Sequence, residues 1–219
     1  MPRKASYLST GIAAYYILRN NHVIADENNG QVGVDKVIQP GTLDNNCVLD
    51  PNDIIGTLSD FESIAFDGSP NGIDAAIALT TTAETGFATP PTIYGAPSSV
   101  TEAATVGLLV KKFGRTTGLT AGIVDAINVD VNVGYDAGTA RFEDQIVIIG
   151  QARRGRKIVA TSFSEGGDSG SLIVTQDGNK PVRLFAGNSS FTIANPIGQV
   201  LDRFSDLGAG LIMVVDDGN

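Results

Sequence analysis

The sequence predicts an all-β protein built as two β units joined by a linker, with a short helix near the C-terminus. Three observations carry that expectation. Strand-like apolar runs recur every ten to fifteen residues or so, punctuated by Gly, Asn, Asp or Pro. The composition is turn-rich, with 26 glycines and nine prolines in 219 residues. One stretch of little periodicity, rich in Pro, Ser, Thr and Gly, parts the runs into two groups. With 42% hydrophobic and 18% charged residues, the chain is long and apolar enough to bury a sizeable core.

In chain order, "AAYYIL" (Ala13 to Leu18) and "HVIA" (His22 to Ala25) read as short strands around a turn at Asn20 and Asn21. A polar loop follows from Asp26 to Asn52, then two strands, "DIIGTLSDF" and "IDAAIAL" (Ile73 to Leu79). Residues 84 to about 104 form the aperiodic connection. Residues 1–90 are therefore expected to make the first unit, 91–104 the linker and 105–219 the second unit. In the second unit "TVGLLVKKFG", "TAGIVDAINVDVNV", "EDQIVIIG", "KIVATSF", "SGSLIVT" and "VRLFAGNS" read as strands. "DAINVDVNV" alternates with a period near two, as a half-buried antiparallel strand does. Ile197, Val200, Leu201 and Phe204 make one apolar helical stripe.

Charge and cysteine content narrow the function. A formal charge of −9 repels polyanions, which argues against nucleic acid as a partner. The one basic cluster, "RRGRK" (Arg153 to Lys157), reads as a solvated loop. No apolar run approaches the roughly 18 residues of a membrane-spanning helix. The N-terminal apolar segment is interrupted by Arg19 and lacks the pattern of a signal peptide. A single cysteine, Cys47, excludes an internal disulfide and fits a reducing compartment, so the cytoplasm is the favoured location. Cys47 itself reads as a small buried hydrophobe rather than a nucleophile. "DENNGQVGVD" and "DVNVGYDAG" lack the spacing of a calcium loop, and no Cys/His cluster suggests zinc, so no metal or cofactor is expected.

The stretch "FSEGGDSGSL" (Phe163 to Leu172) sets Ser169 between Asp168 and Gly170 in a glycine-rich turn. A serine nucleophile needs a base, and His22 is the only histidine, so chain order becomes a test. The order Ser, acid, His fails because no histidine follows Ser169. The order Asp, His, Ser fails because residues 1 to 21 contain no acid. The order His, Asp, Ser remains. Asp74 in "NGIDAAIAL" is the best candidate for the acid because it opens an apolar strand; Asp60 and Asp67 lie in more polar surroundings.

"GGDSGS" (Gly166 to Ser171), "NNHVIA" (Asn20 to Ala25) and "IDAAIAL" together resemble the nucleophile, histidine and aspartate motifs of trypsin-like serine peptidases. "KFGRTTGLTAGIV" (Lys112 to Val124) resembles the start of the second barrel in bacterial members of that family. The resemblance implies two six-stranded antiparallel barrels with the site between them, and an incomplete first barrel is one expected form of this fold. It implies a polypeptide substrate and an acyl-enzyme route: Ser169 as nucleophile, His22 as general base and then acid, and Asp74 orienting the imidazole. The N–H groups of Gly167 and Ser169 would form the oxyanion hole. By the same matching, Phe163 and Ser164 fall at the primary specificity pocket, without the acid that selects Lys or Arg. Ser189, Ser190 and Phe191, in "NSSF", fall on the strand that pairs with substrate.

The sequence also departs from the family. No activation segment is visible to free the amine that pairs with the aspartate matching Asp168. Only 21 residues precede His22, fewer than the first barrel's opening strands need, and "LIMVV" (Leu211 to Val215) is an apolar strand that could take their place. The competing expectation is a trypsin-like domain of impaired activity that serves as a protein-binding or scaffolding module.

Overall fold

The computed structural model describes residues 7–9, 14–86, 88–185 and 191–205. The stretch Leu211 to Val215, Ser189 and Ser190 lie outside the described residues.

Five strands of the first half form one curled antiparallel sheet: β1 (Tyr7–Ser9), β2 (Tyr15–Arg19), β3 (Lys36–Ile38), β4 (Ile54–Phe61) and β6 (Ala76–Thr80), in the order β1-β2-β6-β4-β3. Between β4 and β6 lies the two-residue β5 (Pro70–Asn71), which leaves this sheet and pairs in parallel with the second. A one-turn helix, α1 (Asn21–Ile24), follows β2 directly. Residues 81–108 carry no described strand or helix, consistent with their aperiodic sequence.

The second half supplies β7 (Leu109–Gly114), β8 (Gly118–Tyr135), β9 (Gly138–Arg154), β10 (Lys157–Thr161), β11 (Leu172–Thr175), β12 (Pro181–Phe185) and β13 (Thr192–Pro196), then α2 (Ile197–Arg203). Six of these strands close a ring: β9 pairs β13, then β12, β11, β7 and β8, and β8 returns to β9. Closure removes the unpaired edges that short antiparallel strands would otherwise expose. The fold is thus an all-β double barrel with a short C-terminal helix, in which the first barrel is a curled, open sheet among the described residues.

Inside the closed barrel, Val110, Val124, Ile146, Ile148, Phe163 and Ile173 make the core. A second core joins the two halves: Leu18, Ile73 and Ile77 pack with Leu172, Val174, the α2 residues Ile197 and Val200, and Phe204 just after the helix. The apolar stripe read along residues 197–204 is the face that α2 buries, with Leu201 partly buried beside it. Arg203 at its end reaches back to β4, donating to Asp60 at 2.9 Å and to Glu62 at 2.5 Å.

Three expectations are corrected here. "HVIA" is not a strand: after extended Asn20, both Val23 and Ile24 donate to the Asn20 carbonyl at 3.2 Å, which winds a helical turn. A four-residue apolar run cannot distinguish these outcomes by periodicity. The loop 26–52 is not structureless, since β3 and the 3₁₀ turns Asp26–Asn28 and Thr42–Asn45 lie within it, and a third, Pro51–Asp53, closes it. Cys47 is exposed rather than buried, on a left-handed turn (φ 61°).

β9 runs well past the segment "EDQIVIIG" that marked it, while β8 follows "TAGIVDAINVDVNV" closely. Beyond the barrel they continue as an arm with register shifts between Val124 and Val131 and a left-handed Asn128 (φ 54°). Such bulges bend a hairpin and increase its twist. The arm lies over the first half: Phe142 and Ala140 pack on Ile64 and Phe66, and Asn71 Nδ2 donates to the Arg141 carbonyl at 2.9 Å.

Candidate functional site

Asparagines fix the backbone on either side of His22. Asn20 is fully buried, and its Nδ2 donates to the Asp74 carbonyl at 2.7 Å. Asn21, also fully buried, donates to the Glu62 carbonyl at 2.6 Å and to Asn28 Oδ1 at 2.8 Å. Asn28 in turn bridges both backbone groups of Ile64. These amides tie β2, α1 and the segment after β4 into one frame, so the direction of the imidazole follows from backbone geometry.

Asp74 stands two residues before β6, fully buried. Its Oδ2 lies 2.5 Å from His22 Nδ1, and its Oδ1 accepts the His22 backbone N–H at 3.3 Å. From the second barrel, Asn195 on β13 brackets the Asp74 main chain. Asn195 Nδ2 donates to the Asp74 carbonyl at 3.1 Å, and its Oδ1 accepts the Asp74 N–H at 3.2 Å. Tyr135, the last residue of β8, donates from Oη to Asp74 Oδ2 at 3.1 Å. Burial, and then the neighbouring Asp74 charge, push the Tyr135 phenol far above its ordinary value, so it remains a donor. Asp60 faces Arg203 instead, and Asp67 lies in an exposed turn with Ser69.

The turn that carries Ser169 is organised by Asp168. β7 alternates, with Val110, Lys112 and Gly114 inward, so one of its two adjacent lysines has to point into the barrel. Lys112 Nζ lies 3.1 Å from Asp168 Oδ2, with both side chains fully buried. Thr117 completes a triangle, accepting from Lys112 Nζ at 2.6 Å and donating to Asp168 Oδ2 at 2.7 Å. The Thr116, Thr117 and Glu165 N–H groups also donate to this carboxylate, at 2.8, 3.2 and 3.0 Å. Burial drives the Asp168 carboxyl upward, but the Thr117 hydroxyl, Lys112 and the backbone donors outweigh it and hold it below the ordinary carboxylate range. Burial pulls Lys112 below its ordinary value against the opposing effect of Asp168. "KFGRTTG" is therefore a cradle for Asp168, and a Cβ on Gly114 would collide with the carboxylate. Lys112 supplies a cation to the buried Asp168 carboxylate.

Ser169 itself is partly exposed, and among the described residues its hydroxyl has no hydrogen-bond partner. Gly167 and Gly170 flank its turn with φ of +96° and +85°, a backbone region open to glycine. A Cβ on Gly170 would lie 2.5 Å from Arg19 Cδ, so the turn is pressed against the end of β2, three residues before His22. The Gly167 and Ser169 N–H groups have no acceptor among the described residues. A cavity of about 360 Å³ opens here, with Ser169, Gly167 and Arg115 on one wall and Val23, Ile24 and Leu43 on the other. Arg115 is paired with Asp44 across this gap.

Of the residues matched to substrate binding, Phe163 is 2% exposed in the barrel core, and Ser164 is buried with its Oγ 2.6 Å from Thr192 Oγ1. Phe191 is 42% exposed and lines a second cavity of about 490 Å³ beside Thr161 and Ser162. Sequence reading missed Lys112, Asn20, Asn195 and Tyr135. Lys112 had a signal in its two-residue spacing from Val110; Asn195 and Tyr135 had none, because only the fold carries them to Asp74.

No family model matches the chain, and no curated protein matches its sequence. Solved structures do. The chain is similar to a glutamic acid specific serine protease, with 20% identity over 96% of this chain and 91% of that one and a TM-score of 0.59. It is similar to protease A of Thermobifida fusca, with 21% identity over 97% and 90% and a TM-score of 0.59. It is similar also to a chymotrypsin of Cellulomonas bogoriensis, with 21% identity over 98% of each chain and a TM-score of 0.55. At these identities the likeness establishes the fold, which is the chymotrypsin-like double barrel of bacterial serine proteases.

Proposed function

We propose that the protein is a serine endopeptidase that hydrolyses peptide bonds through His22, Asp74 and Ser169. The observation that carries this reading is the 2.5 Å His22–Asp74 contact beside a cavity walled by Ser169. Ser169 Oγ would attack the scissile carbonyl while His22 Nε2 takes its proton, and Asp74 would keep the Nδ1–H tautomer and stabilise the imidazolium. The free N–H groups of Gly167 and Ser169 would receive the oxyanion. His22 would then return the proton to the leaving amine, releasing the C-terminal product and leaving an acyl-enzyme. Water, activated by the same imidazole, would hydrolyse the acyl-enzyme.

A fluorophosphonate probe tests the reading between about pH 6 and 9. Labelling of wild type but not of Ser169→Ala supports it. Absence of labelling in folded wild-type protein overturns it in favour of a protein-binding or scaffolding module, a reading to which the unbonded Ser169 hydroxyl lends support.

A further inference from the structure

We infer that Tyr135 is a positioning residue for the His22–Asp74 pair, and that Glu27 latches the β8–β9 arm to hold it there. The arm delivers one side chain to the buried carboxylate from outside both barrels. Tyr135 Oη donates to Asp74 Oδ2, the same oxygen that faces His22 Nδ1. The Tyr135 ring also stands edge-on to the imidazole, with centroids 5.7 Å apart at 61°. Phe66 and Phe142 pack on Tyr135 at 5.8 and 6.2 Å, which limits its freedom to swing away.

The tip beyond Tyr135 is tied down separately. The Asp136 and Ala137 N–H groups donate to the two carboxylate oxygens of Glu27, at 3.0 and 2.7 Å. Glu27 sits in the left-handed region (φ 51°) just after α1, so the latch acts on the segment that carries His22. Two neutral contacts, a phenol hydrogen bond and a ring edge, thus restrict the carboxylate and the imidazole at once. Because Tyr135 and His22 share Oδ2, loss of the phenol leaves that oxygen with the imidazole as its one hydrogen-bond partner among the described residues, and the Nδ1 proton senses the change.

The consequence for turnover rests on the endopeptidase reading; the coupling to His22 does not. His22 is the only histidine, so its Nδ1–H gives a single assignable proton resonance in water. Tyr135→Phe keeps the ring and removes only the hydroxyl. The expected result is a shifted resonance and faster exchange of this proton with water. Fluorophosphonate labelling should slow on the order of tenfold, less than the roughly 10²-fold cost of a 1 Å misplacement. Glu27→Ala, which leaves the phenol intact, should move the same resonance in the same direction by less. An unchanged resonance and exchange rate in Tyr135→Phe overturns the inference, whatever the labelling shows. A shifted resonance in a protein that never labels retains the inference and sinks the endopeptidase reading alone.

Discussion

The two sides of the candidate site are held by different physics. On the histidine side, neutral groups surround one buried carboxylate: the amides of Asn20 and Asn195 bind the Asp74 main chain, and the Tyr135 phenol binds its side chain. On the serine side, a buried ion pair between Lys112 and Asp168 organises the turn. Neutral amide bonds are individually modest and insensitive to pH, with net contributions of about 0.5–1.5 kcal/mol. A buried ion pair is poised between large opposing terms, so removing one partner costs far more than the pair contributes. The histidine side should degrade in small steps, and the serine side should fail with its charge balance.

Replacing Lys112 tests that contrast most severely. Lys112→Met keeps the volume but leaves Asp168 charged and buried, and should cost about 3–5 kcal/mol in urea denaturation at neutral pH. A loss below about 1 kcal/mol would mean that the hydroxyl and backbone donors around Asp168 suffice without the cation.

The same pair sets a pH dependence of stability. Asp168 is held below its reference value of 3.8 in the folded state. Its contribution to stability is therefore present above about pH 4 and is lost as pH falls through the lower folded value. In Lys112→Met the carboxyl has lost its cation, so protonation relieves the buried charge. The gap between wild type and variant should narrow from pH 7 towards pH 4, and a gap that widens on acidification would reverse the assignment.

The same distinction explains what the sequence could reveal. His22, Asp74 and Ser169 could be named as candidates because only one chain order survived and Asp74 opens an apolar strand, and the all-β class because short apolar runs were spaced by turns; the barrels came only with the family resemblance. Lys112 was half legible: alternation in "LVKK" requires one lysine inside, but the partner that makes this tolerable lies 56 positions away at Asp168. Tyr135 was illegible, because the bulged course of β8 sets its position and no local pattern announces an arm reaching the other barrel. The α1 turn was misread as a strand because Asn20 and Asn21 act through distant carbonyls, those of Asp74 and Glu62.

The smallest expected effect is the sharpest test of the neutral side. Asn195→Ala removes the acceptor of the Asp74 N–H and one of two donors to the Asp74 carbonyl, with Asn20 still bonded to that carbonyl. The cost should be about 1–3 kcal/mol, dominated by the buried N–H left without a partner. These bonds reach the Asp74 main chain and not its carboxylate, so the cost should be equal at pH 5 and pH 7 in paired denaturation curves. A cost that changes with pH would show that Asn195 acts through the charge on Asp74, and the two sides of the site would then share one electrostatic mechanism.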